Sequence, residues 1–286
     1  PAGQTSVSVV ISTFPPCTIP TNTVRPTPED RRKGLFYGLS AYGLWGLMPL
    51  YFWLVIGKAT ALEMVACRVG WSFLFLCVVV TVVRGWRQIM LALQNRQIMA
   101  ALTASSLMIA VNWIAYVYAV DTNQVLQASL GYFITPLVNV ALGVLVLRER
   151  LRLFQSAGIA LACLGVAILV IAGGEVPYIS LALAISFGSY GLLRKLAPVD
   201  GMSSLLIETG IMGPPAIALF AYLRSQPDIL PYSTTTNLLL AASGVVTALP
   251  LLCFGAAARR LQLTTLGILQ YLAPSVQFLF AVLLFG

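Results

Sequence analysis

The chain has 286 residues, of which 59% are hydrophobic and 9% charged, with a mean hydropathy of +0.90 and a formal net charge of +8. A soluble domain carries roughly 25% charged residues, and so little polar surface cannot cover a water-soluble core of this size. Composition therefore excludes soluble, collagen-like and disordered proteins and points to an all-α polytopic membrane protein whose first partner is the lipid bilayer.

In chain order, residues 1–33 are rich in Ser, Thr and Pro and read as a disordered N-terminal arm. A spanning helix needs about 20 apolar residues. Nine segments meet that need: 34–56, 60–83, 97–119, 124–147, 153–172, 176–193, 203–223, 237–258 and 262–285. The runs are long and continuous, which suits helices rather than the ten-residue alternations of barrel strands. Charge or turn chemistry bounds them, as at Lys58, Arg84-Gly85, Asp121, Arg148 to Arg152, Arg194-Lys195 and Arg259-Arg260.

Basic residues are distributed unevenly between alternate loops. Fourteen of the seventeen Lys and Arg fall on the side of the arm, two (Lys58 and Arg224) fall on the other, and Arg68 lies inside a span. The positive-inside rule makes the arm cytoplasmic, in what reads as a bacterial inner membrane. The positive charge then faces anionic lipid, and no nucleic-acid partner is expected.

Histidine is absent, which removes His-based catalysis and His-ligated metals. Cys17, Cys67, Cys77, Cys163 and Cys253 show no C-x-x-C spacing and read as small buried hydrophobes. No HExxH and no intramembrane Asp pair is present. The lysines, Lys33, Lys58 and Lys195, fall outside the expected spans. An enzyme is therefore not expected, nor is a metal or cofactor.

The two halves of the chain echo one another. Ser129-Leu130-Gly131 leading to Pro136 is matched by Thr265-Leu266-Gly267 leading to Pro274. Trp45-Gly46 is matched by Tyr190-Gly191, and at the same offset of 145 Glu63 is matched by Glu208. Five spans per half would insert the second copy upside down, the inverted-repeat plan of many secondary transporters. The expected units are a first five-helix repeat over 34–172 and a second repeat over 176–286.

Trp45-Gly46, Glu63-x4-Arg68-x2-Trp71-Ser72 and Ala128-Ser129-Leu130-Gly131-Tyr132-Phe133-x2-Pro136-Leu137-x-Asn139 resemble the RarD family of the EamA-type drug/metabolite transporter superfamily. So do Arg148-Glu149-Arg150, Leu206-Ile207-Glu208-Thr209 and Pro250-Leu251-Leu252-Cys253-Phe254. The resemblance covers roughly residues 32–286 and is most specific over 128–150. It implies ten helices in two inverted five-helix repeats around a central cavity, carrying small metabolites or drugs, with the type member linked to chloramphenicol sensitivity. It also implies a Gly-Glu pair and a tenth helix after the ninth, so the chain is expected to be incomplete, with four helices in its second repeat.

Three ionisable side chains lie clearly within the expected spans: Glu63, Arg68 and Glu208. A charge near the bilayer centre costs at least about 2.5–3.5 kcal/mol, so each is a candidate for substrate binding or coupling. Glu63 reads equally well as an interfacial carboxylate. Arg68 and Glu208 are expected to face one central cavity, paired directly or bridged by water or substrate. A second layer comprises Trp45, Trp71, Asn112, Trp113, Tyr116, Asn139, Gln270 and Tyr271, which either line that cavity or bond neighbouring helices. Pro136 and Pro274 read either as packing kinks or as pseudo-symmetric hinges.

These residues together point to a permease moving small organic molecules by alternating access, with ion or proton coupling open. The alternatives are a non-transporting scaffold, an inactive carrier fragment or, with less support, a channel, for which no selectivity loop or ring of like polar groups is seen. Substrate and oligomeric state are not legible.

Overall fold

The computed structural model describes residues 27–174, 176–226 and 231–285. Residues 1–26 of the expected arm, Cys17 among them, lie outside the described residues. Twelve helices are described: α1 (Pro28–Gly46), α2 (Met48–Val55), α3 (Ala61–Val82), α4 (Trp86–Gln94), α5 (Arg96–Asp121), α6 (Val125–Leu145), α7 (Leu153–Gly173), α8 (Tyr178–Leu196), α9 (Gly201–Arg224), α10 (Thr234–Ala258), α11 (Leu263–Gln270) and α12 (Leu272–Phe285). The protein is an all-helical, multi-pass membrane protein.

Each of the nine expected spans is helical, with α1 and α2 forming the first and α11 and α12 the ninth. Among the described residues, eight spans are long and apolar enough to cross a membrane, and α8 is not one of them. Its run carries Ser180, Ser186, Arg194 and Lys195, which lower its hydropathy. Three boundaries differ from the expectation. Helix α1 starts at Pro28 rather than residue 34: Thr27 Oγ1 accepts from Asp30 N at 3.1 Å, and Pro28, Glu29 and Asp30 suit a first helical turn. The segment after Arg84, expected as loop, contains the amphipathic helix α4, which buries Ile89 and Ala92. Arg194 and Lys195 lie in the last turn of α8 rather than in a loop.

Prolines set the two broken spans. A proline cannot donate to the carbonyl four residues back. At Pro49 that carbonyl is Trp45, which accepts instead from Gln277 Nε2 at 3.1 Å. At Pro274 it is Gln270, where α11 ends. Pro136 sits inside an unbroken α6.

The loops sort to two ends. At one, a Cβ on Gly34 would touch Arg260 and Leu261, Gly85 lies against Met202, and Glu149 pairs with Lys195 at 3.5 Å. At the other, Glu63 meets Arg224 at 3.6 Å, and Gln127 Oε1 accepts from Ile179 N at 3.2 Å. The first collects most of the basic loop residues and is called here the basic end.

Helix packing has an exchange relation. α8 packs on α5 and α6, while α1 packs on α10 and α12. α3 packs on α10, while α9 packs on α5; α3 also meets α9, and α6 meets α11. Numbering the spans in order, each of these pairings is matched by the one obtained by moving both partners five spans along the chain, or maps onto itself. α3 and α10 cross closely: a Cβ on Gly244 would overlap the Trp71 backbone, and Ser72 Oγ donates to Gly244 O at 3.0 Å. α7 lies at the margin, with none of its residues buried, and contacts α6.

Candidate functional site

Arg68 sits two turns into α3. It shares that helix face with Met64 and Ser72, and this face meets α10. Its Nε donates to Thr247 Oγ1 at 3.0 Å, and its guanidinium lies 4.7 Å from the Trp113 ring centroid. Tyr51, Tyr116 and Tyr132 are its polar neighbours. Met48, Tyr51, Phe52, Met64 and Ser243 line a narrow seam beside it that has no room for a water molecule. Tyr132 is 40% exposed. The Tyr116 and Tyr132 rings stand 6.3 Å apart and tilted at 51°.

Glu208 belongs to a different cluster, nearer the basic end. Arg194 Nη1 lies 3.5 Å from both of its carboxylate oxygens. Ser105 Oγ donates to Oε1 at 2.7 Å and Tyr190 OH to Oε2 at 3.5 Å. Arg194 Nη2 also donates to Gly201 O at 3.1 Å, and a Cβ at Gly255 would collide with the guanidinium. Helices α5, α8, α9 and α10 thus converge on one satisfied buried ion pair, as low-dielectric surroundings require.

Between the two clusters lies a ring stack. Phe254 is fully buried and contacts Tyr42, Trp45, Phe187 and Tyr190, the last nearly parallel at 6.0 Å and 16°. Aromatic pairs at such spacing add roughly 0.5–1.5 kcal/mol each beyond area burial. With Leu205, Leu263 and Leu266 also fully buried, this half of the bundle is closed.

Direct pairing of Arg68 with Glu208, one of the expected arrangements beside a bridge of water or substrate, gives way to two separate partnerships. Glu63 has an identifiable local duty: its Oε2 accepts from Thr60 N and Oγ1, both at 2.9 Å, while Glu63 N donates back to Thr60 Oγ1 at 3.2 Å, a reciprocal cap on α3. Trp113 and Tyr116 do flank Arg68. Trp45 joins the ring stack instead. Asn112 Nδ2 donates to Leu183 O at 2.9 Å and to Ser186 Oγ at 3.1 Å, joining α5 to α8. Asn139 Nδ2 donates to Gln270 Oε1 at 2.7 Å, joining α6 to α11. Tyr271 OH donates to Phe133 O at 3.3 Å. Trp71 is exposed, with its backbone at the α3–α10 crossing. Of the cysteines, Cys163 is exposed and Cys67, Cys77 and Cys253 are half-buried, short of the full burial expected.

Sequence reading missed Arg194, Ser105, Thr247, Tyr51 and Tyr132. Tyr190 and Arg194 stand one turn apart on α8, and Ser243 and Thr247 one turn apart on α10. That spacing was the available signal.

A family model described as the EamA-like transporter family matches residues 32–171. An uncharacterised transporter of Pseudomonas aeruginosa is 46% identical over 260 residues, 89% of this chain and 86% of that protein. Protein RarD of Escherichia coli is 42% identical over 260 residues, 90% and 88% of the two chains. A chloramphenicol-sensitive protein RarD of Pseudomonas aeruginosa is 29% identical over 258 residues, 89% and 86% of the two chains.

Proposed function

The chain belongs to the RarD group of the EamA-like transporter family, and from that premise we propose that it carries small organic molecules across the cytoplasmic membrane by alternating access. The observation that carries this reading is the contrast between the two halves of the bundle. On the Arg68 side Tyr132 is 40% exposed, whereas the basic end is sealed by the Phe254 stack and the Arg194–Glu208 pair. A carrier needs such a central site with one barrier closed while the other is relaxed.

The positive-inside rule puts the basic end, and with it the N-terminus, in the cytoplasm, so the described conformation opens away from the cytoplasm. The exchange relation in helix packing supports two repeats, 34–172 and 176–286, with the second inverted by the odd number of spans before it. Opening the basic end separates Arg194 from Glu208. The freed carboxylate then exchanges a proton with water at that end, which couples the step to pH.

Labelling a single cysteine tests this reading. Tyr132→Cys, in a background with the native cysteines replaced, is exposed to a membrane-impermeant maleimide in right-side-out and inside-out vesicles. A carrier is labelled from both faces, more slowly from the cytoplasmic one. A scaffold is labelled from one face only, and a channel at equal rates from both; either outcome overturns the proposal.

A further inference from the structure

The carrier reading leaves the cargo open, and Arg68 supplies a chemical criterion for it. Among the described residues the embedded carboxylates are all engaged elsewhere. Glu63 pairs with Arg224, Glu149 with Lys195 and Glu208 with Arg194. Near the chain ends of helices, Glu29 pairs with Lys33, Asp30 with Thr27, and Asp200 caps α9. No acid among the described residues lies within ion-pair distance of Arg68. Its Nε has Thr247 as acceptor; its two terminal nitrogens have none among the described residues.

A guanidinium presents five N–H donors in a planar fork. Here one edge is tied to α10 and one face lies over Trp113, so the donors left over point along the remaining edge. A positive charge in a membrane cleft without a counter-ion is costly, and bound anionic cargo removes that cost. The neighbourhood is aromatic: Trp113 lies against the cation, Tyr51 and Phe52 line the seam beside it, and Tyr116 and Tyr132 are near enough to feel its charge. Such walls fit a flat organic body, with few polar groups fixing its orientation.

Resting on the carrier reading, we infer that the cargo is an aromatic monocarboxylate, held by a two-point hydrogen bond between its carboxylate and Arg68 and by stacking of its ring among Trp113, Tyr116 and Tyr132. A bidentate carboxylate–guanidinium contact is both strong and direction-setting. A neutral amide of the same shape keeps the stacking but loses the charge and one acceptor. The narrow seam beside Arg68 must widen as cargo enters, through movement among α2, α3 and α10, the helices that line it.

The test uses the purified full chain in detergent, with benzoate, 4-hydroxybenzoate and indole-3-acetate as probes and the corresponding amides as matched controls. Calorimetric titration is run in gluconate and in chloride buffers. At least one carboxylate is expected to bind, with its amide at least tenfold weaker. Arg68→Gln is expected to lose that preference while eluting as a single species on gel filtration. Arg68→Lys is expected to retain part of the binding. Absence of binding by all three carboxylates, equal binding of acid and amide, or a preference that survives in Arg68→Gln overturns the inference, and the wild-type acid–amide comparison decides it even if the variants do not fold. Carboxylate binding in gluconate that chloride abolishes in equimolar competition shows an inorganic anion site and also overturns it. Two-faced labelling of Tyr132→Cys without a carboxylate preference leaves the carrier reading standing and removes only the aromatic monocarboxylate.

Discussion

Arg194 Nη1 lies 3.5 Å from both carboxylate oxygens of Glu208, and each of the two side chains is 1% exposed. One residue ends α8 and the other sits two turns into α9, so the pair fixes the angle between consecutive helices at the closed end of the bundle. Ser105 from α5 completes the shell.

Removing one partner of a buried pair strands the other, at a cost of about 3–5 kcal/mol. Glu208→Leu is therefore expected to lower the free energy of unfolding in mixed micelles by that amount. The double variant Arg194→Met/Glu208→Leu is expected to recover most of it, because both charges are then gone and apolar groups fill the space. A double variant as unstable as the single would show that the charges themselves, rather than their stranding, matter. The same cycle yields the coupling energy directly.

Close helix approach gives a second contrast. A Cβ on Gly244 would overlap the Trp71 backbone, which cannot yield as a flexible side chain would. Gly244→Ala is expected to cost about 1–3 kcal/mol by forcing α3 and α10 apart. At Gly43 and Gly213 a Cβ meets nothing within 4 Å, and both lie inside helices. Gly43→Ala and Gly213→Ala are expected to be neutral or stabilising by up to about 1 kcal/mol, since glycine is the weaker helix former. Unfolding midpoints in a denaturing detergent titration separate the two classes.

The sequence made the nine helical spans and the family legible, because membrane insertion writes long apolar runs and rare charges plainly. It did not make the Arg194–Glu208 pair legible. Arg194 sits beside Lys195, and two adjacent bases at the end of an apolar run read as a loop. Only the turn that brings Gly201 back against α10 shows that one of them points inward. Helix α4 was hidden for a related reason: Arg84, Arg87 and Arg96 dominate its surroundings, while its apolar positions are too few for a span. Asn139 and Gln270 were both singled out, but their contact depends on which faces of α6 and α11 cross, and one-dimensional spacing does not carry that information.

The Asn139–Gln270 bond is itself testable. Interhelical hydrogen bonds in membrane proteins average about 0.6 kcal/mol and reach about 1.7. Asn139 is fully buried and a Cβ on Gly191 would approach its Oδ1 at 3.4 Å, so the side chain has little room to find another partner. Asn139→Leu is expected to cost about 1 kcal/mol or more, and Asn139→Asp more than Asn139→Leu, because an embedded carboxylate would then lack a cation. Equal stabilities for the three proteins in detergent unfolding would place this bond among the dispensable ones.

Glu149 offers the last test. Its two oxygens accept from Leu263 N at 2.8 Å and Thr264 N at 2.9 Å, the first backbone donors of α11, and Lys195 Nζ stands 3.5 Å away while also donating to Leu261 O. One carboxylate thus satisfies two unpaired N–H groups, faces the positive end of the helix dipole and ties α8 to the loop before α11. Glu149→Gln keeps the volume but has one acceptor oxygen and no charge, so one donor is left without its bond. The expected cost is about 1–2 kcal/mol, the range for losing a cap or a charge-assisted bond. Because the contact lies at the closed end, the variant is also expected to speed maleimide labelling of a cysteine placed at Thr264, measured from the side of the basic end. Stability lost with no change in labelling would make Glu149 a plain helix cap; faster labelling would make it part of the closure that the proposed alternating access would release.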